Sequence, residues 1–264
     1  MPLRGWKAPG DIVLAMELRT RIHEYLFPEA QGRTIADARI GLGYTAVRLD
    51  NGLCGLAFTV KQDTAHGCSL FDGELPLEGR PAEEVLGLIR SRDKLETALG
   101  MATANALANT YSQDLCHKDI LEFLDLRSSD RVGMVGMFGP LLQPLRERAA
   151  EVIVFERDTS KGEHLQPESK IPEQLPGCRV ALITATSIVN HSIDGFIHAA
   201  KNCREVAILG PTTPLLPELF RDTPVTCLSG VVVSSPSQVL RVVSSAGGMR
   251  QLKPFVDKVN LPLK

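Results

Sequence analysis

From residue 131 to residue 248, short runs rich in β-branched residues alternate with helical patterns, and no other feature of the sequence limits the fold as strongly. Alternation of this kind is typical of a parallel sheet with crossover helices on its faces. The predicted strands are 131–135, 152–155, 179–184, 205–209 and 225–228, and the predicted helices are 141–150, 192–202 and 238–245. We therefore expect a Rossmann-like α/β domain whose ligand pocket lies at the carboxyl ends of the strands.

The last of these helices carries start and stop signals. Ser235 and Gln238 have the spacing of a capping box, and Pro236 stands where the first helical residue is expected. Gly247 and Gly248 follow the last apolar residues, which predicts that the helix closes there.

The first part of the chain has a different organisation. Residues 11–27 have one apolar stripe at helical spacing, and Pro28 is expected to end that helix. Three strands are then predicted at 35–41, 44–49 and 53–60, with a tight turn at Asp50-Asn51-Gly52 joining the last two. Helices are predicted at 81–90 and 94–109. We place the boundary in the polar stretch 127–130, which predicts a small α+β domain over 1–128 and the Rossmann-like domain over 129–264.

The helix predicted at 94–109 is rich in small side chains. Gly100, Ala102 and Ala106 are among the residues that allow the backbone of a neighbouring element to approach closely. Asn105 and Asn109 are four residues apart and therefore share one face of the helix.

Composition limits the class of protein. An apolar fraction of 44%, a charged fraction of 23% and a net charge of −2 are those of an ordinary soluble globule. Nucleic-acid binding is not expected because there is no basic stripe. The longest apolar runs are too short to cross a bilayer, and the N-terminus lacks an apolar signal segment, so a cytoplasmic location is predicted. The six cysteines form no C-x-x-C pair and are expected to be mostly buried free thiols.

A glycine turn follows the first strand of the Rossmann-like part. Gly136 and Gly139 have the spacing of the last two glycines in G-x-G-x-x-G, but Met134 occupies the first glycine position. Glu156 follows Gly136 by twenty residues, where an acidic residue can accept a hydrogen bond from a ribose hydroxyl. Two interpretations stay open: a dinucleotide site, or glycines that serve only the turn beside a solvated Glu156.

Polar segments follow two further strands. Thr184, Ser187 and Asn190 lie in a predicted loop before a helix, and Gly210 and Thr213 lie in the next one. Hydroxyl and backbone N–H groups at the carboxyl edge of a parallel sheet suit a polar or anionic ligand, although the same residue types also cap helices. The long connection 157–177 adds Arg157, Lys161 and His164 as candidates, with a solvated excursion as the alternative.

The sequence lacks a P-loop, a short-chain dehydrogenase Tyr-x-x-x-Lys pair, a nucleophile elbow and a metalloprotease H-E-x-x-H motif. His66 and Cys68 are close enough in sequence to be two ligands of a metal ion, with packing in a loop as the alternative.

Six segments together resemble one family: residues 40–47, 67–69, 100–106, 136–140, 183–190 and 210–215. This is the two-domain prokaryotic family known as "putative heavy-metal chelation". The resemblance implies a domain similar to the N-terminal domain of enolase joined to a Rossmann-like domain, with a site in the cleft between them, and a homodimer. The resemblance also implies that the family's motif positions correspond, in this sequence, to Asn105, Phe138, Pro140, Thr184, Ser187, Asn190, Gly210 and Thr213.

Two hypotheses of function follow. In the first, the protein binds a small polar or anionic ligand, such as a metal complex or chelator, in heavy-metal chelation or homeostasis. A regulatory sensor that responds to a small metabolite without turnover is an alternative that no feature of the sequence separates from the first. In the second, it is an enzyme that holds an adenosyl cofactor, S-adenosylmethionine or a dinucleotide, at Gly136 and Glu156. The cofactor is accordingly a transition metal or an adenosyl compound, and the expected partner is a small molecule.

Overall fold

A computed structural model describes residues 16–60, 71, 73–112, 114–162 and 164–263. These residues form two compact units, one comprising the chain up to Thr110 with Val232–Asp257, and the other comprising Tyr111–Val231 with the chain from Lys258 onward. The predicted division into 1–128 and 129–264 stays a prediction. None of the helices in the described ranges has the length and hydropathy that a membrane span requires.

The first unit contains a small antiparallel sheet with helices against it. Its strands lie in the order β1-β2-β3, and its elements up to Thr110 are α1 (Leu18–Ala30), β1 (Ile35–Ile40), β2 (Tyr44–Leu49), β3 (Cys54–Phe58), α2 (Ala82–Gly87) and α3 (Lys94–Ala108). Asn51 and Gly52 form the turn between β2 and β3 as predicted, and Gly52 has a φ of +87° that favours glycine.

The prediction that α1 ends at Pro28 was wrong. The helix begins at Leu18 and continues through Pro28 to Ala30. Proline lacks the N–H that would bond one turn back, but its fixed φ is helical, so a helix can end with it inside the last turn. Residues 11–15 of the predicted helix lie outside the described part of the chain.

The close approach predicted for α3 is present in the first unit. A Cβ built on Gly55 of β3 would lie 2.2 Å from the Ala102 carbonyl oxygen, and one on Gly100 would lie 2.1 Å from the Ile89 nitrogen. Both contacts are with backbone, so α3 packs on β3 and on the segment 88–90 after α2 at distances that only small residues permit.

The large sheet has seven strands in the order β10-β9-β8-β7-β4-β5-β6 within the described residues. The strands are β4 (Arg131–Val135), β5 (Glu151–Glu156), β6 (Leu165–Pro167), β7 (Val180–Thr184), β8 (Glu205–Leu209), β9 (Cys227–Val233) and β10 (Val256–Pro262). The pairs from β9 to β6 are parallel. Because Leu263 at the end of β10 donates to Thr226 before β9, these two strands run in opposite directions.

Helices separate most of these strands along the chain. They are α4 (Ile120–Phe123), α5 (Gly139–Arg148), α6 (Ile171–Gln174), α7 (Thr186–Val189), α8 (Ile193–Ala199), α9 (Pro236–Ser244) and α10 (Met249–Leu252). The core between the sheet and its covering elements is apolar and includes Val132, Met134, Leu145, Val154, Leu182 and Leu209. The expected α/β fold with a mostly parallel sheet is confirmed.

Three local predictions need correction. Thr184–Asn190 is not a loop, because Thr184 ends β7 and Thr186–Val189 form α7. Helix α9 begins at Pro236 as expected, but the Ser235 side chain makes no capping hydrogen bond, so the capping box is absent. Strands β6 and β10 were not predicted, and β9 extends to Val233 rather than ending at residue 228.

Candidate functional site

The order of strands in the large sheet indicates where a sheet of this kind would bind a ligand. β4 comes first along the chain; β5 and β6 lie on one side of it, and β7 to β9 lie on the other. This is the arrangement of the doubly wound Rossmann sheet, in which ligands bind outside the carboxyl ends of the strands where the order reverses. The switch point here lies between β4 and β7, at Gly136 and Thr184.

Gly136 and Thr184 are in close contact at this switch point. A Cβ on Gly136 would lie 2.9 Å from Thr184 Cγ2, and the φ of Gly136 is +85°. The Gly136 N–H donates to the Phe155 carbonyl at 2.8 Å, which ties the turn to β5. Both space and backbone conformation therefore favour glycine at this position.

The glycine turn has few backbone donors left for a phosphate. The Met137 N–H donates to Glu156 Oε2 at 3.0 Å. The Phe138 N–H donates to Met134 Sδ at 3.5 Å, so the methionine at the first glycine position has a hydrogen-bonding role. Pro140 has no N–H, and the Leu141 N–H donates to the Phe138 carbonyl at 2.9 Å.

Glu156 is tied to the backbone around it. Its Oε1 accepts from the Arg157 N–H at 3.2 Å while Oε2 holds the Met137 N–H. A carboxylate beside the turn also repels an anion at that position. Its predicted contact with a ribose stays a prediction, but the geometry gives the carboxylate a structural role that the sequence did not indicate.

The hydroxyl groups after β7 form a local network. Ser187 Oγ donates to the Thr184 carbonyl at 2.5 Å, and Ser187 is 1% exposed. Thr184 Oγ1 lies 3.2 Å from Thr186 Oγ1, and both threonines are half-buried. Thr184 and Thr186 can therefore reach a ligand, whereas the Ser187 hydroxyl serves the short helix α7.

Arg157 joins two strand ends across the switch point. Its Nη1 donates to Asn190 Oδ1 at 3.1 Å, and its Nε lies 3.5 Å from Glu168 Oε2. β5 and β7 flank β4, so this contact spans the carboxyl end of β4 from one neighbour to the other. Arg157 is exposed, which leaves its guanidinium accessible to a ligand.

The segment after β8 offers a ligand its backbone rather than its side chains. Gly210 has a φ of +119° and open space at its Cβ position, and its N–H donates to the Ser229 carbonyl at 3.0 Å. Thr213 is fully buried, and its N–H donates to the Gly210 carbonyl. Gly210 can border a ligand, while Thr213 lies in the interior.

Three further residues implied by the family resemblance occupy different settings. Phe138 is half-buried against the apolar core, and Pro140 is exposed at the first turn of α5. Asn105, in the first unit, is 1% exposed and donates from Nδ2 to the Leu56 carbonyl at 2.7 Å. That hydrogen bond fastens α3 to β3, and the expected ligand contact of Asn105 stays a prediction.

The described residues contain no group of three or more His, Cys, Asp or Glu side chains able to hold a metal ion. Burial raises the pKa of the Cys54, Cys203 and Cys227 thiols to about 12 and that of Cys178 to about 11. Metals bind the thiolate, so these four cysteines are poor ligands at neutral pH. His66 and Cys68, the predicted metal ligands, lie outside the described residues.

Comparison with protein families identifies the chain. A family described as "putative heavy-metal chelation" matches residues 119–262, and a second match of the same description covers residues 23–108. The chain belongs to this family. The two matches together cover elements of both compact units, in agreement with the resemblance seen in the sequence.

A sequence relative and two of the solved structures that resemble this chain match it over most of its length. An uncharacterized protein of Methanocaldococcus jannaschii is 24% identical over 96% of this chain and 100% of its own length. A family protein of unknown function from Pyrococcus horikoshii superposes with a TM-score of 0.82 at 24% identity, covering 93% of this chain and 99% of its own. One from Desulfitobacterium hafniense gives 0.76 at 22% identity, covering 92% and 98%. At these identities, the structural likenesses establish the fold alone.

Two polar residues at the carboxyl edge of the large sheet, Glu168 and Thr186, were not among the residues predicted from the sequence. Glu168 was not singled out, although an acidic residue eleven positions after Arg157 in one long connection is a candidate ion-pair partner. Thr186 was in the polar segment but was not separated from its neighbours. His164 is exposed, and the structure does not describe the Lys161 side chain.

Proposed function

We propose that the protein binds a small polar or anionic ligand at the carboxyl edge of its large sheet, at the switch point between β4 and β7. The observation that carries this proposal is the Arg157 to Asn190 hydrogen bond of 3.1 Å beside the Gly136 turn. It brings a guanidinium and an amide to the same edge as the Thr184 and Thr186 hydroxyls. Rossmann-like sheets bind their ligands at this position.

The chemistry of the edge favours a ligand with oxygen acceptors. Arg157 supplies a planar cation that matches a carboxylate, and threonine hydroxyls can donate or accept. Glu168 and Glu156 reduce the positive charge, so a ligand that carries a cation together with anionic groups suits the site better than a free polyanion.

The description of the family supports a metal complex or chelator as that ligand, in heavy-metal chelation or homeostasis. Because a raised pKa keeps Cys54, Cys178, Cys203 and Cys227 protonated at neutral pH, we propose that the metal is bound through its chelator at the sheet edge. Direct ligation by His66 or Cys68 is a separate proposal on sequence grounds. A homodimer and a cytoplasmic location also stay proposals.

Calorimetry with zinc, nickel, copper and cobalt, each alone and as its nitrilotriacetate complex, tests the proposal. We expect heat of binding with at least one complex, and a loss of affinity of about tenfold or more in Arg157→Ala and in Thr184→Val. Arg146→Ala, which removes an exposed arginine of α5, is the matched control. Absence of heat with every probe would contradict the proposal, and binding lost only in His66→Ala or Cys68→Ser would replace it with direct ligation.

The alternative is an adenosyl cofactor. The strand order and the position of Glu156 at the end of β5 are those of sheets that bind adenosyl cofactors. The donors of the glycine turn do not fit a pyrophosphate, because the Met137 and Leu141 N–H groups are engaged and Pro140 has none. A rise in melting temperature with an adenine nucleotide or S-adenosylmethionine, abolished by Gly136→Val and Glu156→Ala, would restore this alternative.

A further inference from the structure

A second polar cavity lies in the other compact unit. It has a volume of about 550 Å³ and lies between the small sheet and α9. Its lining is mostly polar and positively charged. Three of the lining residues are the arginines 39, 48 and 241, and three are the serines 237, 244 and 245. Cavities of this size hold small organic molecules.

The local structure places these groups together. Asp37 and Arg48 are cross-strand partners of β1 and β2, and Arg39, two residues after Asp37, lies on the same face of β1. On α9, Ser237, Arg241 and Ser244 follow at helical spacing and share a face.

Gly41 permits α9 to pack closely on the β1–β2 hairpin. A Cβ on Gly41 would lie 2.3 Å from the Val243 carbonyl oxygen. Leu240 of α9 is 5% exposed and gives the cavity an apolar wall beside its polar ones. The cavity is therefore held by packing of the hairpin on the helix.

Two of the arginines form no ion pair with another described residue. Asp37 is paired with Arg39, whose Nη2 donates to Oδ2 at 3.1 Å and whose Nε lies 2.8 Å from Oδ1. Arg48 and Arg241 have no carboxylate within 4.0 Å among the described residues. The cavity thus carries three positive charges against one negative charge from Asp37.

We infer that this cavity is a binding site for a small organic dianion or trianion, whose phosphate or carboxylate groups are held by Arg48 and Arg241. Guanidinium groups bind these planar or tetrahedral oxyanions through paired hydrogen bonds. Serine hydroxyls supply further donors, and Leu240 suits the carbon skeleton of the ligand. The site is independent of the one proposed at the edge of the large sheet, which lies in the other unit.

Calorimetry at low ionic strength, with pyrophosphate as the phosphate probe and citrate as the carboxylate probe, tests the inference. We expect at least one probe to bind, and Arg48→Gln and Arg241→Gln each to weaken that binding by about tenfold or more. Both substitutions remove the charge and keep a polar side chain. Because neither arginine pairs with a described carboxylate, the melting temperature of the variants should stay that of the wild type.

Two controls separate this site from nonspecific attraction. Arg92→Gln removes an exposed charge from the same unit, and Arg146→Gln removes one from α5 of the other unit. Both should bind the probes as the wild type does. The inference is overturned if neither probe binds at millimolar concentration, or if binding survives in Arg48→Gln and Arg241→Gln with unchanged affinity.

Discussion

Gly136 and Thr184 are so close that a Cβ on the glycine would lie 2.9 Å from Thr184 Cγ2. The contact joins the carboxyl ends of β4 and β7, the two adjacent strands between which the order of the large sheet reverses. The polar groups of the candidate site are arranged around it.

Gly136→Ala tests this contact. The φ of +85° costs an alanine about 1–2 kcal/mol, and overlap with Thr184 adds to that cost. We expect the melting temperature to fall by about 2–4 °C for each kcal/mol lost, measured by differential scanning calorimetry. Gly139→Ala is the matched control, because Gly139 has open space at its Cβ position and begins α5. Equal melting temperatures for the two variants would show that the turn does not need glycine.

The packing of α3 on β3 makes a second prediction. In Gly55→Ala the new methyl group would meet the backbone of Ala102 and Ala106 at 2.2 Å, and the backbone of a helix cannot move aside locally. We expect a loss of about 3 kcal/mol or more in the free energy of unfolding, measured in urea. Gly87→Ala, at the end of α2 with open space around it, should change stability little. A loss in Gly55→Ala no larger than in Gly87→Ala would contradict the packing.

The ion pair between Arg204 and Asp130 predicts a dependence of stability on pH. Burial alone would raise the pKa of Asp130, but hydrogen bonds from Arg204 at 2.6 Å and from the Arg127 N–H outweigh burial and lower it. Since the folded protein then binds the proton less readily than the unfolded chain, this contribution is present above about pH 4 and is lost as the pH falls further.

Unfolding in urea between about pH 6 and pH 3 measures this contribution. The wild type should lose stability on acidification more steeply than Asp130→Asn, which lacks the titrating carboxylate. Asp222→Asn, at an exposed carboxylate, should follow the wild type. Parallel curves for Asp130→Asn and the wild type would refute the role of this ion pair.

Thiol labelling makes a fourth prediction. Burial raises the pKa of Cys54, Cys203 and Cys227 to about 12 and that of Cys178 to about 11, so few thiolates exist at pH 8. Mass spectrometry after brief exposure to iodoacetamide should find these four cysteines unmodified in the folded protein and modified in urea. Rapid labelling of any of them without urea would show that the thiol is accessible.

The sequence predicted the class of the fold because its signals are local. The β-branched runs of β4 and β8 match their predicted bounds, Arg131–Val135 and Glu205–Leu209. β10 escaped prediction because Asp257 and Lys258 interrupt its apolar pattern. Its Asn260 donates to the Lys118 carbonyl, 142 positions earlier, and no local pattern shows such a contact.

The candidate site was predictable in its location but not in its details. Glycine and hydroxyl-bearing residues directly after the predicted strands indicate, from the sequence alone, a site at the carboxyl edge of the sheet. Whether Thr213 is buried or Glu156 bonds to the Met137 N–H depends on how neighbouring strands align. Val135 is aligned with Phe155 of β5 and with Ile183 of β7, and this alignment determines which residues lie on either side of the Gly136 turn. The alignment itself follows from tertiary packing.

Hydrogen–deuterium exchange with the nickel–nitrilotriacetate complex tests the central claim most directly. If the ligand binds at the switch point, peptides covering residues 136–141, 156–157 and 184–190 should exchange more slowly when the complex is present, and Thr184→Val should lose that protection. Protection confined to other parts of the chain, or binding that leaves exchange at these three segments unchanged, would contradict the claim.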